Sequence, residues 1–217
     1  MTKDAKISLL VSLSAITVIG VFVFRKPISR ALFGATAFNL KATNKAKKEW
    51  RKWNKGETKE DDKIIYNRLK SYWDSLGWSE SRWTPSSVAW SGAFISHVMK
   101  ESGAKDDFKY SSSHSVYIRD AISNKKNNNN KAFKGYKPSE VKIRKGDIVC
   151  FPRDGSGANY DTTSSYKSHC DLVVSVKRTV AETIGGNVSN SVYMKEVSLD
   201  KGKIKDSKYF VVIRNSK

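Results

Sequence analysis

Cysteine is nearly absent from this 217-residue chain, which holds only Cys150 and Cys170. Two cysteines cannot make a multi-bridge disulfide framework, and neither has the C-x-x-C spacing of a zinc or redox site, so no metal and no organic cofactor is expected. Histidine is almost as scarce: His97, His114 and His169 are the whole supply for any imidazole chemistry. Acids are also in deficit, 21 against 40 Lys and Arg, for a formal net charge of +19. That excess suits nucleic acid, anionic lipid or an anionic wall polymer. The chain has no Gly-rich RNA motif, zinc motif or recognition-helix pattern, which counts against nucleic acid.

The excess charge is not spread evenly. Residues 25–55 carry ten Lys or Arg against one acid, Glu49, and Trp50 and Trp53 lie within the same stretch. Just before it, "ISLLVSLSAITVIGVFVF" (7–24) is 18 uncharged residues between Lys6 and Arg25, close to the minimum for a transmembrane helix. A single-pass anchor over 1–30 is expected, followed by a basic helical linker over 31–60 that meets lipid headgroups, where the two indoles could sit at the interface. The positive-inside rule, with Arg25, Lys26 and Arg30 on the far side, would hold the rest of the chain in the cytoplasm. A wall-facing or virion-packaged domain needs the opposite orientation, so topology stays open.

From residue 61 the periodicity is helical. Ile64, Ile65, Leu69, Tyr72, Trp73 and Leu76 form one apolar stripe that Gly77 ends. "TPSSVAWSGAFISHVMKESG" (84–103) reads as a second helix with Thr84 or Ser86 as N-cap and Gly103 as stop. "SSSHSVYIRDAI" (111–122) is a third, and "SNKKNNNNKAFKG" follows it as a polar loop. Beyond it, "GDIVCF", "HCDLVVSV", "VAETIGG", "SVYMKEV" and "YFVVIR" are strand-like runs separated by turn residues. Helices first and an antiparallel sheet second predict an α+β fold with five or six strands over 61–217.

Nucleophilic hydrolysis needs a nucleophile, a base and a group that orients the base. A helix amino terminus suits the nucleophile, because its unpaired N–H groups stabilise developing negative charge. Ser91 on a helix, His169 on a strand and Asn187 on a later turn supply these parts in order. The segments "AWSGAFISHVMKESG", "KGDIVCF", "SHCDLVVSV" and "TIGGNVSNSV" resemble the successive motifs of papain-like cell-wall amidases and peptidases of the NlpC and CHAP type. The resemblance is closest to an uncharacterised branch with serine in place of the nucleophilic cysteine.

It implies a papain-like fold and a peptidoglycan hydrolase with Ser91 as nucleophile, His169 as general base and Asn187 as orienting residue, Glu182 standing in reserve. An anionic cell-wall polymer would be the partner, and lysis by a bacterium or phage the setting. A serine hydroxyl, unlike a thiol, must lose its proton during attack, so an inactive wall-binding module and a serine esterase or acyltransferase remain alternatives. His114 is read either as a residue that contacts substrate or assists His169, or as a capping or surface histidine, and Arg153 either as a carboxylate-binding rim residue or as an exposed loop cation. Asp171, two residues from His169, shares its strand face and could tune it or contact substrate, while Cys170 faces the other way. His97 lies about 240° around the helix from Ser91, so it is read as structural. Trp90 is read as core.

Overall fold

The computed structural model describes residues 36–153 and 155–217, so the apolar segment 7–24 and the expected anchor lie outside the described residues. Among the described residues, no helix is long and apolar enough to cross a membrane. The chain folds as α+β, with four helices on a curled antiparallel sheet of seven strands in the order β1-β7-β2-β3-β4-β5-β6. The helices are α1 (Ala37–Lys52), α2 (Tyr66–Asp74), α3 (Ser91–Glu101) and α4 (His114–Lys126). The strands are β1 (Phe133–Tyr136), β2 (Ile148–Pro152), β3 (Ser168–Val176), β4 (Val180–Val188), β5 (Ser191–Asp200), β6 (Lys203–Ile204) and β7 (Val211–Asn215).

Helix α1 occupies most of the expected linker, yet it is packed into the domain. Thr36 caps it by accepting from the Asn39 N–H at 3.2 Å. Phe38, Ala42 and Ala46 recur four residues apart and face the core, leaving the lysines on the solvent side. Trp53, expected at a lipid interface, is instead fully buried and stacks on Trp90 at a centroid distance of 4.8 Å. Its indole N–H donates to the Tyr72 hydroxyl, which donates to the buried Glu49 carboxylate, both at 2.8 Å. Lys45, Lys52 and Arg68 surround that carboxylate at 3.4–3.8 Å, which compensates a charge that would be costly if buried alone.

Helix α2 buries Leu69, Tyr72 and Trp73 as its stripe predicts, although Ile64 at its approach is exposed. The next helix starts later than its caps suggested. Thr84 to Ser87 form a turn closed by Ser87 N–H to Thr84 O at 3.1 Å, and Ser86 has a φ of +66°, outside right-handed helix. Ser91 is therefore the first residue of α3, behind Trp90, rather than a residue of its second turn.

The sheet exceeds the expected five or six strands because two short ones lack an apolar run. Strand β1 comes from the Lys- and Asn-rich stretch read as loop, and β6 is only Lys203–Ile204. On β3 the side chains alternate as anticipated: Cys170, Leu172 and Val174 enter the helix-side core, while Val173 enters a second core on the other face. Cys150 and Cys170 are directly opposite across β2 and β3 and form a disulfide.

Candidate functional site

Ser91 holds the amino terminus of α3, where the first intrahelical bond runs from Phe94 N–H to Trp90 O at 2.9 Å. The N–H groups before it have no partner within the helix, and they present partial positive charge where a serine oxygen would attack. Trp90 is fully buried and its indole donates to Glu60, so the residue before the serine is an anchor in the core. Gly92 is required by close approach: a Cβ there would lie 2.1 Å from the Ser112 carbonyl oxygen. The chain at 111 is latched to α3 by Ser96, whose hydroxyl donates to Ser111 O at 2.8 Å and accepts from Ser111 N–H at 3.0 Å. This latch sets the start of α4 against the start of α3.

At that junction Ser91 Oγ lies 2.6 Å from His114 Nε2. The other ring nitrogen, Nδ1, is hydrogen-bonded to the Tyr117 hydroxyl one helical turn on. Burial pushes the His114 pKa well below the ordinary histidine value, His169 and Arg153 add to the shift, and Asp171 opposes it. His114 is thus neutral near pH 7 and has a lone pair to offer. Burial also pushes Tyr117 well above the ordinary phenol range, so it remains a neutral hydroxyl.

No hydrogen bond joins His169 to Ser91, where the resemblance implied one. Its ring is 5.3 Å from that of His114, and its Nε2 is 2.8 Å from Asp171 Oδ1. It sits on the β3 face that alternates with Cys170, with its ring beside that of His114. Burial would raise the Asp171 pKa, but His169 and then Lys195, at 2.9 Å from Oδ2, outweigh it and hold the carboxyl below the usual range. Asp171 thereby takes the orienting position proposed for Asn187. Asn187 makes no hydrogen bond to His169; its φ of +55° places it in an irregularity of β4 between Gly185 and Val188. Glu182 is bound to Lys177 at 2.8 Å and takes no part.

The two glycines before Asn187 explain that segment better than Asn187 does. A Cβ on Gly185 would fall 1.9 Å from Asp171 Oδ1, and one on Gly186 would fall 2.4 Å from Phe94 Cβ. They let β4 close on both the His169–Asp171 pair and α3.

A groove of about 570 Å³ opens beside Ser91 and His114, lined also by Ser112, Arg153, Tyr166 and Ser168. His169 is not part of its wall. His97 is far along α3, with Nδ1 2.7 Å from Ser75 Oγ and its ring against Tyr72, as a structural histidine should be. Tyr117 was missed; its place three residues after His114 was the available signal. Among the described residues, no group of three or more His, Cys, Asp or Glu is placed to hold a metal ion.

These features define an α+β domain with a buried serine–histidine pair at a helix amino terminus, open to a groove. Residues 60–214 match a family described as an uncharacterised protein conserved in bacteria (DUF2272), and the chain belongs to that family. Neither curated proteins nor solved structures provide a match.

Proposed function

We propose that the chain is a serine hydrolase on a papain-like fold that cleaves an amide bond in bacterial cell-wall peptides. The observation that carries this reading is the 2.6 Å contact between Ser91 Oγ and His114 Nε2 at the first turn of α3, beside an open groove. With Nδ1–H donating to the Tyr117 oxygen, Nε2 accepts the serine proton as Oγ bonds to the amide carbonyl carbon. The backbone N–H groups that open α3 receive the oxyanion. Collapse breaks the C–N bond and returns the proton from His114 to the leaving amine. Water, deprotonated by the same nitrogen, then releases the acid and restores Ser91.

The net charge of +19 favours an anionic wall polymer. The Cys150–Cys170 disulfide suits an oxidising compartment, which supports a wall-facing or virion-borne domain tethered through the amino-terminal segment. The test is to incubate the full-length chain with purified sacculi and count new amine termini. Release that disappears in Ser91→Ala and in His114→Ala supports the reading. No release from either the natural chain or Ser91→Cys refutes it.

A second reading, a wall-binding module without turnover, is favoured by one observation. The base at Ser91 is paired with a neutral tyrosine where a carboxylate would stabilise the imidazolium, and the carboxylate present, Asp171, is bound to His169. Retention on sacculi with no released amine would select it.

A further inference from the structure

The groove beside Ser91 has features that the reaction at Ser91 does not use. Ser168 is buried at the start of β3, and neither its hydroxyl nor that of Tyr166 has a hydrogen-bond partner. Buried polar groups are nearly always paired, so two unpaired hydroxyls in one groove wall call for an explanation. Arg153 lines the same groove, follows β2, and has no carboxylate partner among the described residues. Its backbone N–H is tied to Lys167 O at 3.0 Å, which fixes its Cα against the strand carrying Ser168. Its charge reaches the site, since it is among the causes that disfavour a proton on His114. No acidic residue is found among the described lining residues, where Arg153 supplies a guanidinium.

A guanidinium beside two unpaired hydroxyls is complementary to an anion. A guanidinium and a carboxylate pair through two parallel hydrogen bonds, and the serine hydroxyl, turning about one bond, and the phenol can each supply another donor. We propose that the wall formed by Arg153, Tyr166 and Ser168 is a substrate subsite for a free carboxylate carried within one residue of the amide that Ser91 attacks. The substrate class is therefore an acidic peptide with an unblocked carboxylate beside the scissile bond, and the carboxamide form of the same peptide is discriminated against. The subsite rests on the groove reading of Ser91, but its binding does not require turnover.

Two N-acetylated tripeptides serve as probes, identical except that the central residue bears a free carboxylate in one and a carboxamide in the other. Their binding to full-length Ser91→Ala, which cannot cleave them, is measured by calorimetry. The carboxylate form is expected to bind about tenfold or more tightly, the range of a charge-assisted hydrogen bond. In Ser91→Ala carrying Arg153→Ala that preference is lost, and with Arg153→Lys it is partly kept. Arg153 is exposed, and a circular dichroism melt confirms that each variant is folded. Equal affinity for the two peptides, no binding of either, or a preference that survives Arg153→Ala overturns the proposal. The expected preference, lost with Arg153→Ala, together with no amine release from sacculi by the natural chain or Ser91→Cys upholds the subsite and refutes the hydrolase reading.

Discussion

Two serine–histidine pairs of nearly the same length occur among the described residues, Ser91–His114 at 2.6 Å and Ser75–His97 at 2.7 Å. Distance does not distinguish them; their surroundings do. Ser91 begins α3, where the helix dipole favours negative charge, and it opens on a groove. Ser75 follows the last residue of α2, where the dipole opposes an oxyanion, and its hydroxyl donates to Ser71 O at 3.0 Å. His97 is buried and packed against Tyr72. A close serine–histidine contact is thus a packing solution at one end of the helical layer and a candidate reaction centre at the other. Helix polarity and access decide between them.

The strongest way to break this comparison is to remove each hydroxyl. Ser91→Ala is expected to lower amine release from sacculi by about three orders of magnitude or more, the range for losing a nucleophile that works as a unit with its base. Ser75→Ala should leave release within about twofold. If both variants retained activity, or both lost it, the distinction would fail. Next in size is Gly185→Ala. With a Cβ placed 1.9 Å from a buried, ion-paired carboxylate oxygen, either β4 or the Asp171 side chain must shift. A loss of roughly 3 kcal/mol is expected in urea unfolding, at the upper end of overpacking costs.

How legible these features were follows from what each depends on. The long strands were readable because β-branched runs such as "DLVVSV" fit a pleated, buried surface. Strands β1 and β6 were not, since register against β7 and β5 makes them strands and their own side chains do not. The start of α3 was misplaced because Thr84 and Ser86 have cap chemistry, while the backbone of Ser86 is left-handed. Ser91 itself was found by its place before Phe94 and Ile95 on a buried face. Its partner was read as His169, because strand order brings that histidine near; only the Ser96–Ser111 latch, a contact 15 residues apart, puts His114 first. Asp171 rather than Asn187 is paired with His169 for a related reason: the bulge in β4 fixes where Asn187 lies, and no local pattern announced it.

Acidification acts on both histidines in the same direction. Burial first, and Lys45 next, lower the His97 pKa to about 4, against 6.5 for an ordinary histidine. The unfolded chain therefore binds more protons than the folded one between these values, so stability is full above about pH 6.5 and declines as pH falls toward 4. The loss over that window is on the order of 3 kcal/mol from this group. His114 adds to the slope in the same direction and extends it to lower pH, so the contribution of His97 is read as the difference between the natural chain and His97→Gln in urea midpoints at pH 7 and pH 4.5. Equal slopes would contradict a buried neutral His97. For catalysis, the depressed His114 pKa places its acid limb of kcat/KM well below pH 6.5.

The finest test compares two tyrosines. Tyr117 and Tyr72 are both buried, and each hydroxyl serves one pair: Tyr117 meets His114 Nδ1, and Tyr72 links Trp53 to Glu49. Removing the Tyr117 hydroxyl leaves an Nδ1–H buried without an acceptor, a cost that shifts the imidazole toward the tautomer protonated on Nε2. That tautomer cannot accept the Ser91 proton. Tyr117→Phe is therefore expected to reduce kcat about tenfold with KM nearly unchanged, and to cost only about 1 kcal/mol in stability. Tyr72→Phe should do the reverse, leaving turnover intact while costing about 2 kcal/mol, because the Glu49 carboxylate loses a donor where water cannot replace it. If Tyr117→Phe altered stability alone, Tyr117 would be as structural as Tyr72, and only helix polarity and access would still distinguish Ser91–His114 from Ser75–His97.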